Sequence, residues 1–379
     1  MTDSTDPASA QAPPPSPGEL RPEELPPVEP PSAGYIVQLF LIPALIVAAV
    51  IGVWALFGKL ADQETDWKQL TAELGSSNEH RRWRAALGLA QVLRNQQIRP
   101  DENGTPLAKQ PEVATALAGL LKESLDSNST LEDDIKHQEF LARTLGSLDV
   151  DDVVLPALAN AVSADRNVEV RKSGLMALAM IAGREFSKQA EALESTVQNK
   201  LANGDVIYML DQPLSGPSLS DENVWKQLKL SAQDEDPSVR HLSAFVTGLI
   251  SGDDAMKVLK VLLLDGDAMA RANAAVGFAR SGRTDGVKVM TQLLQEGTVE
   301  IDQAEFEKLD AEAQQKALSY IQFEQPKLLG TCLHAIGMLW NEKLSDDERE
   351  TLRPVLQKLS DDSKAADIRL LAGNILSEQ

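Results

Sequence analysis

The chain has 379 residues, and its 57 acidic side chains outnumber 36 lysines and arginines to give a formal net charge of −21. Such a surface repels nucleic acid unless a local basic patch overrides it, and the longest basic run is His80-Arg81-Arg82, so nucleic-acid binding is excluded from the reading. A single cysteine, Cys332, rules out an intramolecular disulfide framework and any cysteine-rich zinc site.

Residues 1–34 hold ten of the twenty prolines, mixed with Ser, Ala and Glu. This composition cannot bury a core and predicts an extended, disordered acidic tail. The uncharged run 35–58, YIVQLFLIPALIVAAVIGVWALFG, follows. As a helix it reaches about 35 Å at ~1.5 Å per residue, enough to cross a hydrocarbon core of about 30 Å. Tyr35 and Trp54 fall where aromatic side chains prefer the headgroup level, and Pro43 and Gly52 are residues that membrane helices tolerate. No basic stretch precedes the run and no cysteine follows it closely, so the segment reads as a permanent single-pass anchor rather than a cleaved leader or a lipoprotein signal. Arg21 is the only basic residue before it, whereas Lys59, Lys68, Arg81, Arg82 and Arg84 come after. The positive-inside tendency therefore predicts the tail outside the cell membrane and residues 59–379 in the cytoplasm.

From Asp66 onward apolar residues recur with a period near 3.6 in short helices punctuated by Gly, Asp, Asn and Pro. Aromatic residues make up 4% of the chain and alternating β-branched runs are absent, which predicts an all-α fold. The rhythm breaks at three insertions, 95–110, 203–220 and 297–325. The second carries the apolar cluster Val206-Ile207-Tyr208-Met209-Leu210 in a loop framed by Gly and Pro.

The helices repeat one another. Arg82-x-x-Ala85-Ala86-x-Gly88-Leu89-Ala90 aligns with Arg271-x-x-Ala274-Ala275-x-Gly277-Phe278-Ala279. The same frame fits the segments beginning at Arg171, Arg240 and Arg369, and two weaker copies begin at Gln138 and Leu329 without the arginine. A period of 30–40 residues with paired helices predicts an α-solenoid. Turn acids followed by Val-Arg-x-x-Ala-Ala-x-Ala-Leu-Gly resemble HEAT repeats of the short phycobilisome-lyase type, a likeness that covers about 66–379. The resemblance implies antiparallel helix pairs stacked into a curved HEAT/armadillo-like superhelix whose concave wall holds partners, and it implies no particular reaction. Arg82, Arg171, Arg240, Arg271 and Arg369 are expected to be structural, linking the turns of successive repeats to acids such as Asp165, Asp236, Asp267 and Asp367.

No chemistry emerges from motifs. The four histidines, His80, His137, His241 and His334, fall in separate repeats, with no His-Glu dipeptide and no His-x-x-x-His. Phosphate-binding loops, dinucleotide fingerprints and nucleophile elbows are absent, so no catalytic residue, cofactor or metal is assigned. The expected function is a membrane-anchored scaffold or accessory subunit that binds a protein partner, part of a membrane complex, with Tyr208, Met209 and Trp225 as candidate recognition residues. The alternative is an enzyme or cofactor-handling protein of the lyase-type group.

Overall fold

The computed structural model describes Gly34, Leu41, Ile42, 44–53, 67–74, 76–98, 106–191, 196–200, 206–210, Leu219, 221–299 and 303–377. The chain divides into one unit over Met1–Thr65 and a second over Asp66–Gln379.

In the first unit the tail lies outside the described residues apart from Gly34, as do Tyr35, Pro43 and Trp54 of the apolar run. Residues 44–53 are helical with every side chain exposed, among them Leu45, Ile46, Val47, Val50, Ile51 and Val53. No helix among the described residues is long and apolar enough to cross a membrane.

The second unit is a helical solenoid. Its helices are α1 (Trp67–Leu74), α2 (Glu79–Ile98), α3 (Pro111–Asp126), α4 (Glu132–Leu145), α5 (Asp151–Ala161), α6 (Val168–Glu191), α7 (Glu222–Ser231), α8 (Pro237–Ile250), α9 (Asp253–Leu262), α10 (Ala268–Arg280), α11 (Val287–Gly297), α12 (Gln303–Phe306), α13 (Ala311–Ser319), α14 (Gln325–Leu339), α15 (Asp346–Asp362) and α16 (Ala366–Ser377). One row of helices packs in the order α4, α6, α8, α10, α14, α16, each against the next. A second row runs α1, α3, α5, α7 and resumes with α11 and α15. The sequence neighbours α1/α2, α3/α4, α5/α6, α7/α8, α9/α10 and α15/α16 pack as pairs, and α11 pairs with α14 across the 297–325 insertion, which gives seven helix pairs among the described residues. All five arginine-bearing copies and both weaker copies of the sequence repeat lie on the second helix of a pair.

Local chemistry explains the helix ends. Asp221, Asp236, Asp267 and Asp310 accept hydrogen bonds from backbone N–H groups of the helices they precede. Ser345 and Glu348 form a reciprocal capping box at the start of α15. Within the first row α8 and α10 approach so closely that a Cβ on Gly248 would lie 2.7 Å from the Gly277 Cα. Small residues at that spot let two backbones touch, and this is the role of the Ala/Gly columns in the repeat.

The buried side chains are mainly Leu, Ala, Val and Ile, and they form two clusters, one reaching from Leu74 to Ile250 and the other from Ala232 to Ile375. Cys332 is fully buried in the second, where burial pushes its thiol up to about 12, so it packs as a small apolar group.

The insertion at 203–220 departs from the expected loop. Strand β2 (Val206–Leu210) pairs antiparallel with β1 (Thr196–Lys200), Tyr208 opposite Gln198 and Met209 opposite Val197. The β-branched and aromatic residues of β2 favour a pleated strand, and Asn203-Gly204 between the strands is a hairpin turn signal. Strand β2 runs beside both α6 and α10, the two helices that flank α8. In the insertion at 297–325, Tyr320–Glu324 forms a π-helical turn between α13 and α14.

Candidate functional site

Of the three candidate recognition residues, Tyr208 and Met209 lie on β2 and Trp225 lies on α7. Trp225 is half-buried between the two core clusters, and its Nε1 donates to the carbonyl of Leu219 at 3.2 Å. It forms the floor of a groove of about 480 Å³ with Glu222, Lys226, Lys229, Leu230 and Gln233 on one side and Asp254 of α9 on the other. Lys229 places its Nζ 6.0 Å from the indole centroid.

A second depression neighbours it through the Asp254–Lys257 ion pair and is lined by Lys257, Lys260, Val261, Leu264 and Asp265. Asp254, Lys257 and Val261 follow one another at helical spacing on one face of α9, and Leu264 lies in the turn just after it. Leu230, Val261 and Leu264 are 50%, 64% and 85% exposed. The lining holds four lysines against three carboxylates, a local excess of one positive charge in a chain of net −21. Two of those carboxylates are engaged, since Lys257 holds Asp254 at 2.9 Å and Arg240 holds Asp265. The face therefore offers apolar contact ringed by Lys226, Lys229 and Lys260, while Lys257 is committed to Asp254.

The repeat arginines sit at the turns between helices, and Arg240 borders the α9 depression through Asp265. In α8, Arg240 Nη1 donates to the carbonyls of Asp234 and Glu235 in its own turn, while Nε and Nη2 form a two-pronged bond to Asp265 at 2.8 and 3.0 Å. Arg171 bonds the Arg166 carbonyl at 2.8 Å and reaches Asp234 of the next pair at 2.9 Å. Arg271 bonds the Asp265 and Gly266 carbonyls and comes within 3.9 Å of Glu296. Arg82 bonds Ser76 O and pairs with Glu123 at 3.3 Å, and Arg369 holds the Ser363 and Lys364 carbonyls. Each guanidinium thus clamps its own turn, and four of the five also reach an acid one repeat further on.

The acids differ from those expected. Asp236 and Asp267 cap helices, and the acids two residues earlier, Asp234 and Asp265, receive the arginines. In each Asp-x-Asp turn the first carboxylate also accepts the backbone N–H of the second, at 3.0 Å for Asp236 and 2.7 Å for Asp267. Burial alone would raise the Asp265 carboxyl, but the Arg240 and Asp267 hydrogen bonds hold it below the usual carboxylate range.

The histidines are dispersed along the solenoid, as their spacing indicates. His241 and His334 are half-buried, and burial lowers the pKa of both. His137 is different, for it lies beside Glu79 and Asp134. That grouping was invisible to motif spacing because Glu79 belongs to the preceding helix pair; the one local signal is Asp134-x-x-His137 at helical spacing. The lysine-ringed apolar face was likewise missed, since Val261 and Leu264 read in sequence as ordinary members of the α9 core stripe.

No family model and no curated protein sequence matches the chain. Among solved structures it is similar to YibA of E. coli, at 16% identity over 86% of this chain and 97% of that one, with a TM-score of 0.31. It is also similar to an engineered protein, at 16% identity over 82% of this chain and 78% of that one, TM-score 0.37. Human deoxyhypusine hydroxylase, in a complex with glycerol, gives 16% identity over 84% of this chain and 97% of that one, TM-score 0.28. These likenesses are too distant to carry an argument about function.

Proposed function

We propose that the protein is a membrane-anchored helical scaffold whose α7–α9 face grips an acidic, amphipathic segment of a protein partner, with no catalysis of its own. The observation that carries this reading is α9 and the turn after it, where Val261 and Leu264 are exposed among Lys226, Lys229, Lys257 and Lys260 in an otherwise acidic chain. A partner helix with an apolar stripe and flanking carboxylates would cover the leucines and neutralise the lysines together, the pattern of helix-in-groove recognition. Trp225, anchored by its bond to Leu219, supplies a rigid aromatic floor of the kind that dominates interface energies.

The anchor is the run 35–58, whose 24 residues carry no charge. Holding the solenoid at the bilayer would raise its effective concentration near a partner that belongs to a membrane complex. The basic residues following the run support a cytoplasmic solenoid and an external tail.

The test is gentle detergent extraction of the full chain from its native host, with a photo-crosslinking residue at position 264. The expected product is a stoichiometric adduct whose crosslinked peptide is rich in Asp and Glu. Leu264→Asp and Lys260→Glu should each abolish co-purification while leaving the thermal midpoint unchanged. Recovery of the chain alone, or an adduct that survives both substitutions, sinks the proposal. Proteolysis of sealed vesicles then reports orientation, since only an outward-facing tail is cut without detergent.

A further inference from the structure

Glu79, Asp134 and His137 come from two helix pairs, the first residue of α2 and the first two turns of α4. One ligand atom from each lies within 4.8 Å of the others. A first-row divalent ion with bonds of about 2.0–2.2 Å to carboxylate oxygen and imidazole nitrogen bridges atoms of this separation after small side-chain adjustments.

Three features make this more than a chance meeting of charges. First, the groups line a groove of about 240 Å³ together with Arg82, Trp83, Leu120, Glu123, Ser124, Ser127 and Leu141, so an ion has room. Its charged lining is three carboxylates against Arg82, and Arg82 is occupied by Glu123 at 3.3 Å. Second, the imidazole is oriented from outside the cluster. The Trp83 indole stacks on His137 with ring centroids 3.9 Å apart and planes 32° apart, and Phe140 meets Trp83 edge-on at 4.9 Å. Third, Asp134 is held by a hydrogen bond from the Ser129 hydroxyl, an outer partner that orients a ligating carboxylate.

We propose that Glu79, Asp134 and His137 form a binding site for one divalent transition-metal ion, of the zinc or manganese class. One imidazole with two carboxylates is a mixed donor set that suits those ions better than calcium, which takes oxygen ligands alone. Because Glu79 and the α4 residues belong to successive pairs, the ion would clip the first stacking interface of the solenoid. The site is independent of the α7–α9 face and needs no partner.

The full chain in detergent micelles, stripped with a chelator and dialysed, is titrated with Zn²⁺ by calorimetry and by tryptophan emission. The expected result is one ion per chain, with an emission change that disappears in Trp83→Phe. His137→Ala and the near-isosteric Asp134→Asn should each weaken binding at least tenfold without altering the helical circular dichroism. Ser129→Ala should weaken it by about tenfold, the usual effect of losing an outer partner. Absence of saturable binding, or affinity unchanged in both Asp134→Asn and His137→Ala, overturns the assignment.

Discussion

Arg240 shows how one residue type serves two purposes in this fold. Its Nη1 closes the turn before α8, and its other two nitrogens hold Asp265 of the next repeat, with the two side chains 19% and 10% exposed. Removing one partner of a largely buried pair leaves the other charge unmatched, at a cost of about 3 kcal/mol, near the low end for such pairs because some solvent remains. Arg240→Ala should therefore lower unfolding free energy by that amount in denaturant titration. Arg240→Lys should recover only part of it, since an ammonium cannot make the two-pronged bond. The pair also sets an acid limit. A carboxyl whose folded pKa is depressed contributes stability that is fully present above its unfolded value of about 3.9 and disappears as pH falls through the lower folded value. The gap in thermal midpoint between the parent and Asp265→Asn should be constant above pH 5 and close below about pH 4. A gap that persists into acid would mean the carboxylate charge contributes nothing.

At the scale of the helix, the same glycine substitution should have opposite signs at two places. Gly248 and Gly277 touch across α8 and α10, where an added Cβ meets backbone that cannot turn aside. Gly248→Ala gains roughly 1 kcal/mol of helix propensity but forces the helices apart, an overpacking cost of typically 1–3 kcal/mol, so the net change should be destabilising. Gly119, exposed in the middle of α3, has nothing within 4 Å of its would-be Cβ, and Gly119→Ala should stabilise by up to about 1 kcal/mol. Chemical denaturation of the two variants checks both signs. The glycine column was legible in sequence because its period is fixed by helix packing. The hairpin β1–β2 was not, because the apolar cluster Val206–Leu210 satisfies a loop and a strand equally until Thr196–Lys200 supplies its partners 6–14 residues earlier. The Asp-x-Asp turns sit between these cases. The sequence marks an acid near every arginine, but only three-dimensional reach separates the capping carboxylate from the bridging one.

Across the whole solenoid, what the sequence reveals is the repeat and what it hides is everything set by the spaces between repeats. All seven copies could be placed because each must present the same small and apolar residues to its neighbours. The α9 face and the Glu79–Asp134–His137 group are products of stacking, made from residues that look ordinary in their own helix. Stacking also governs cooperativity. In such a molecule stability is a sum of repeat terms and neighbour terms, so a weak interface lets the two sides unfold separately. The two core clusters meet at α7 and α8, and Trp225 packs against both while Ala232 and Ala244 belong to one and Val239 and Val246 to the other. Trp225 is the bulkiest of these bridging side chains, and large-to-small substitution of a packed tryptophan costs about 3–5 kcal/mol when fully buried and less where, as here, one edge is exposed. Trp225→Ala should remove coupling more than it removes local stability. The expected outcome is that a single unfolding transition in the parent splits into two, with the half containing α9 to α16 unfolding at a different denaturant concentration from the half containing α1 to α6. Circular dichroism reads the sum of both halves, and Trp340 emission reads the second preferentially once Trp54, Trp67 and Trp83 are replaced by phenylalanine. If the two probes stay coincident in Trp225→Ala, the joint is carried by the α8–α10 backbone contact instead, and Gly248→Ala becomes the substitution that should part them.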